Sequence, residues 1–166
     1  MPRIIKDGAI VEDQWQQLTA DALAEEQALP DGPVIVPLAY WQAHRETLQA
    51  RGQVAVCLEP GEEPSALAGD LNELPLIAID FPAFKDGRGY SYARELRTRY
   101  GYKGEIRAVG DVLRDQLFYM HRVGFNAFVV RADRDIEDAL NGLRDFSVTY
   151  QGDVHDPRPI YRRQDH

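Results

Sequence analysis

From Val34 onward, short apolar runs rich in β-branched residues alternate with stretches of helical periodicity. The runs are VIVPL, VAVCL, LIAID, EIRAV, NAFVV and SVTYQ. A parallel strand is buried on both faces, so it reads as a continuous apolar run, and consecutive parallel strands need a helix-sized crossover between them. The pattern predicts a single α/β domain with a mainly parallel sheet of five or six strands. The runs start about every twenty to thirty residues, a β/α repeat resembling part of a TIM-type barrel, with an open three-layer sheet as the alternative because periodicity does not give strand order.

The intervening helices are expected at Ala39 to Arg51, near Ser65 to Asn72, and at Tyr90 to Tyr100, Val112 to Val123 and Asp135 to Phe146. Gly52, Gly101 and Gly124 each follow a helical run where a left-handed C-cap residue is favoured, and Asp111 stands where an N-cap belongs. Ahead of this core, residues 1–33 form a lead-in. Arg3 to Glu12 reads as a hairpin turning at Lys6-Asp7-Gly8, an edge or lid piece, and Gln14 to Leu29 is loosely helical up to the Pro30-Asp31-Gly32-Pro33 boundary. Residues 34–151 are the β/α core, and the tail from Gly152 reads as extended.

The 166 residues carry a formal charge of −8, with a pI near 5.0. That balance argues against general nucleic-acid or anionic-membrane binding, which demands surplus Lys and Arg. Cys57 is the single cysteine, so an intrachain disulfide is excluded, as is a thiolate-based iron-sulfur cluster held by this chain alone. Its place in VAVCL reads as a small buried thiol. There is no signal-peptide pattern and no apolar run of about 20 residues, so the expectation is a soluble, cytoplasmic protein without metal ligands at recognisable spacing.

Parallel α/β sheets place function at the C-terminal ends of their strands. The polar residues that follow the runs are Glu59, Asp80, Asp111 and Arg131. If the strands are neighbours, two carboxylates and a guanidinium converge there, with Asp80 or Asp111 as acid/base. The plainer alternative has Asp111 capping its helix, Asp80 satisfying loop amides and Arg131 pairing with Asp133 or Asp135. The turn Asp86-Gly87-Arg88-Gly89, before a helix opening near Ser91, could cradle an anion on the exposed amides of Gly87, Gly89 and Ser91, with Arg88 as a clamp. A structural turn with a solvated arginine is the competing reading. Arg94, Arg97, Arg99, Arg107 and Arg114 read singly as solubilising surface charges. Neither a GxGxxG nor a Walker motif is present, and no GxSxG elbow.

Three blocks, RIIKDG, DFPAFKDGRGYSYARELR and AVGDVLRDQLFYMHRVGFNAFVVR, resemble a bacterial family, domain-of-unknown-function family 934. The resemblance covers most of the chain. It is most specific from Asp80 to Arg131, including Gly87, Arg88, Gly89, Asp111, Gln116 and Gly124. Members are commonly labelled as probable oxidoreductases involved in sulfite reduction, after the genomic company of the hemoprotein sulfite reductase. The resemblance implies an accessory role in assimilatory sulfite reduction: binding the reductase, delivering an oxyanion or helping electron transfer. A barrel-type enzyme acting on an anionic substrate and a plain interaction protein are the alternatives. An incomplete barrel leaves sheet edges exposed, and a homodimer would cover them.

Overall fold

The computed structural model describes residues 2–25, 29–82 and 87–147. The sixth apolar run beyond Ser147, Asp86, and the tail lie outside the described residues. In chain order the elements are β1 (Arg3–Lys6), β2 (Ala9–Glu12), β3 (Gln16–Gln17), α1 (Ala20–Glu25), β4 (Val34–Pro37), α2 (Leu38–Ala43), α3 (Arg45–Arg51), β5 (Val54–Leu58), β6 (Leu76–Phe81), α4 (Arg88–Thr98), β7 (Glu105–Gly110), α5 (Arg114–Val123), β8 (Ala127–Phe128) and α6 (Ile136–Ser147). Two 3-10 turns, Pro64–Leu67 and Leu71–Glu73, stand where one short helix is predicted. The helix expected from Ala39 is broken into α2 and α3 at His44.

All eight strands join one sheet in the order β2-β1-β8-β7-β6-β5-β4-β3. From β3 to β8 every neighbouring pair is parallel and follows chain order, while β1 runs antiparallel to both β8 and β2. The sheet is therefore wider than five or six strands for two reasons. The lead-in read as helical contributes β3, and the hairpin read as an edge piece is an integral edge whose Ile4 and Ile5 are buried.

Right-handed crossovers between strands taken in order put successive helices on one face. Val54, Val56, Leu58, Ile77, Ile79, Phe81, Ile106 and Phe128 point that way and share one core with Trp41, Leu96, Leu117, Met120 and Leu143 of the helices. Trp41 is anchored there by donating its indole N–H to Asp70 at 3.0 Å. The alternate positions face the other side, where Ile35, Ala55, Cys57, Leu76, Ala78 and Val109 form a second, smaller cluster. Large residues outside and Ala55, Cys57 and Ala78 inside give the sheet a wedge-shaped cross-section, so it curls with the small side concave.

The chain itself confirms the curl. β2 and β3 are the opposite edges of the sheet, yet only residues 13–15 join them. Seven flat strand spacings would span about 34 Å, whereas the four Cα steps from Glu12 to Gln16 reach about 14 Å at most. The sheet is a half-barrel whose edges are drawn together by a three-residue strap.

Candidate functional site

Asp80 is the fifth residue of β6, on the concave side, at the C-terminal rim. It is half-buried, and burial first, then the nearby Glu59 carboxylate, push its carboxyl above the usual carboxylate range. Its neighbour across the ladder is Val109, and next to that pair stands Gly110 with φ +94°. A Cβ on Gly110 would meet an Asp80 carboxylate oxygen and the Phe81 carbonyl oxygen, both at 2.5 Å. Gly110 is therefore needed twice, for a left-handed backbone and for room to seat Asp80. Phe81 also accepts the Asp111 backbone N–H at 2.6 Å, which turns the chain sharply above β7.

Asp111 does not cap α5. The N-cap position is Leu113, whose backbone N–H donates to Gln116 Oε1 at 3.2 Å. The Asp111 carboxylate instead accepts from Arg131 Nη1 at 2.9 Å, and Arg131 reaches Asp133 with Nη2 at 2.7 Å and Nε at 3.1 Å. The two carboxylates raise the Arg131 guanidinium further, and Arg131 holds Asp133 below the usual carboxylate range. Asp80, Asp111 and Arg131 thus come from the ends of adjacent strands to one rim.

The glycine-arginine turn stands apart from them. α4 opens at Arg88, and its buried Gly89 presses on β6: a Cβ there would meet the Phe81 ring at 2.6 Å and Ile79 at 3.0 Å. Gly89 is a packing glycine at this helix-sheet contact. Because Ile79 and Phe81 face the helices, α4 lies on the convex side, while Asp80 between them faces the concave side. Gly87 is exposed with φ −86° and open space around it, and Ser91 is the exposed fourth residue of the helix. Arg88 extends over the loop after β5, its Nη1 3.7 Å from where a Gly61 Cβ would sit. The same loop is tied to α4 by the Gly61 N–H, which donates to the Tyr92 hydroxyl at 2.8 Å.

Sequence reasoning missed two groups. Arg107, expected at the surface, is 2% exposed on the concave face. It bonds Glu105 at 2.8 Å and Asp13 of the strap at 2.9 Å, and Lys6 reaches Glu105 at 3.2 Å. The signal was an arginine between apolar neighbours in EIRAV, two residues from an acid on the same strand face. Arg97 is likewise structural, donating to the carbonyls of Tyr102, Gly104 and Gly124. The second group is a cavity of about 460 Å3 at the rim of β7 and β8. Gly110 and Val129 line it, as do Arg3, Arg131 and Arg134. Among the described residues, Arg3 makes a 3.8 Å contact to Glu137.

Cys57 is buried on the concave face, where Gln17 Nε2 donates to its sulfur at 3.6 Å. Burial above all, then Asp80, Glu59 and Glu62, raise its thiol far above the ordinary value. Among the described residues no three His, Cys, Asp or Glu side chains are grouped to hold a metal ion, and no helix is long and apolar enough to cross a membrane.

No protein with a curated description matches the chain. Residues 55–161 match the family described as "Bacterial protein of unknown function (DUF934)". That span is more than half of the 166 residues and covers β6 to β8 and all of β5 but its first residue, so the chain belongs to DUF934.

Proposed function

We propose that the protein is an accessory factor of assimilatory sulfite reduction that takes a small oxyanion at the C-terminal rim of β7 and β8, beside Asp80. The observation that carries the anion is the rim cavity, whose lining includes Arg3, Arg131 and Arg134 together with Gly110. Planar guanidinium forks suit the oxygens of sulfite or sulfate. Arg131 is held by Asp111 and Asp133, so it fixes the wall while Arg3 and Arg134 are the groups an anion recruits. The pathway is supported by the resemblance of the Asp80-to-Arg131 block to proteins carrying a sulfite-reduction label. The Gly87-to-Ser91 turn serves this reading as a second, outer contact through Arg88, and the partner it implies is the sulfite reductase in the cytoplasm.

Deleting the gene is expected to create a requirement for cysteine or sulfide. Normal growth on sulfate, with no redundant copy, contradicts the pathway. Calorimetric titration of the full chain with sulfite tests the site, and absence of heat with both sulfite and sulfate contradicts the anion.

A second reading, a barrel-type enzyme acting on an anionic substrate, is favoured by the size of the cavity and by Asp80. About 460 Å3 exceeds what one sulfite fills and falls within the range of small-molecule sites. A carboxyl with a raised pKa, set at the rim of a curled parallel sheet, suits proton transfer. Asp80→Asn and Asp111→Asn separate the readings, since full function with either variant removes that residue as an acid or base. A homodimer would cover the β2 edge, and a monomeric mass by light scattering counts against it.

A further inference from the structure

We propose that the strap Asp13 to Trp15 is a releasable closure of the half-barrel, latched by the Asp13–Arg107 ion pair, whose release opens the concave face and Cys57 to solvent. No backbone ladder joins β2 to β3, and the strap between them is held at its ends by two backbone bonds, from the Asp13 N–H to the Pro2 carbonyl at 2.8 Å and from the Gln16 N–H to the Pro33 carbonyl at 3.0 Å. One carboxylate oxygen makes its side-chain contacts. Asp13 Oδ1 accepts from Arg107 Nη1 at 2.9 Å and from the Trp15 backbone N–H at 3.0 Å, so the ion pair and the turn that aims Trp15 share an atom. Trp15 packs on the concave cluster that contains Cys57 and Ala78. Beyond it, the chain is held by the two pairings of β3 and by the Leu18 N–H, which donates to the Ile35 carbonyl at 2.9 Å.

Two features make this closure releasable. The strap is held by few bonds, whereas the neighbouring β6–β7 ladder has six paired residues, and segments with sparse backbone pairing open locally below the cost of global unfolding. In addition, letting go of Asp13 leaves no lone buried charge, because Arg107 keeps Glu105 and Glu105 keeps Lys6. Asp13 moves toward water as it leaves. The inference does not depend on what binds at Asp80.

Cys57 is the only cysteine, so its labelling by dithiobis(nitrobenzoate) in the intact chain reports opening directly. Asp13→Asn is expected to raise the labelling rate about tenfold or more in the absence of denaturant, with the circular-dichroism spectrum unchanged. An unchanged rate overturns the proposal, and so does a variant that no longer folds, since a releasable closure cannot be what holds the domain together. The parent protein gives an independent reading by native-state hydrogen exchange. The Trp15 and Leu18 amides are expected to exchange through openings nearly independent of urea, while the Ile79 and Ala108 amides follow global unfolding. Equal protection of the two sets overturns the proposal.

Discussion

Along β5 and β6 the residues facing the helices are Val54, Val56, Leu58, Ile77, Ile79 and Phe81, whereas those facing the concave side are Ala55, Cys57, Leu76, Ala78 and Asp80. The convex set is large and interchangeable in kind: any apolar side chain of similar volume keeps the helices seated. Apart from Leu76, the concave set on these strands is small or polar, and several positions on this face have individual partners. Ala55 and Ala78 leave room for curvature and Trp15, Asp80 needs Gly110, and Arg107 needs Glu105 and Asp13. Stability is spread over the convex face, while the concave face concentrates what is specific to this chain at a few contacts.

The largest effect should come from the concave side. Arg107→Ala strips Glu105 and Asp13 of their shared cation, and losing one partner of a buried ion network costs about 3–5 kcal/mol. Urea unfolding measures it, and a loss no greater than that of a conservative convex-face change would erase the distinction. Gly110→Ala comes next. It forces a Cβ against Asp80 and Phe81 at positive φ, with strain of roughly 1–3 kcal/mol and a displaced Asp80. Ile77→Val, the convex-face control, should cost only about 0.5–1.5 kcal/mol in the same assay.

The smallest effect is a pH dependence. Burial and Glu59 raise the Asp80 pKa, so the folded chain binds that proton more tightly than the unfolded chain does. The stability it contributes is complete below the ordinary carboxylate value and is lost as pH rises through the raised one. Asp80→Asn does not titrate. Relative to the parent, its melting temperature should climb as pH rises from about 3 toward neutrality. A constant difference across that range would mean that Asp80 is ordinary.

The convex face was legible in the sequence because hydrophobic period and β-branched runs report burial directly. Five of the six predicted core runs are strands β4 to β8, and Gly52, Gly101 and Gly124 have the positive φ expected of helix-end glycines. The concave face was legible only in part. Asp80, Asp111 and Arg131 follow from where strands end, but the link between Arg107 and Asp13 joins residues 94 apart in the chain, and no local pattern announces it. Gly87-Arg88-Gly89 was ambiguous for a related reason. A glycine at a helix start reads the same whether it admits a ligand or, as at Gly89, an aromatic ring.

The central claim is that the chain works from the rim of its concave face, at Asp80. The direct measurement is complementation of a strain lacking the gene, growing on sulfate, by full-length Asp80→Asn expressed at the parent level and confirmed folded. Glu46→Ala, exposed in the first turn of α3 and away from the rim, serves as the comparison. The account predicts that Asp80→Asn leaves the strain dependent on cysteine or sulfide while Glu46→Ala supports growth. Growth of the Asp80→Asn strain at the parent rate would contradict it.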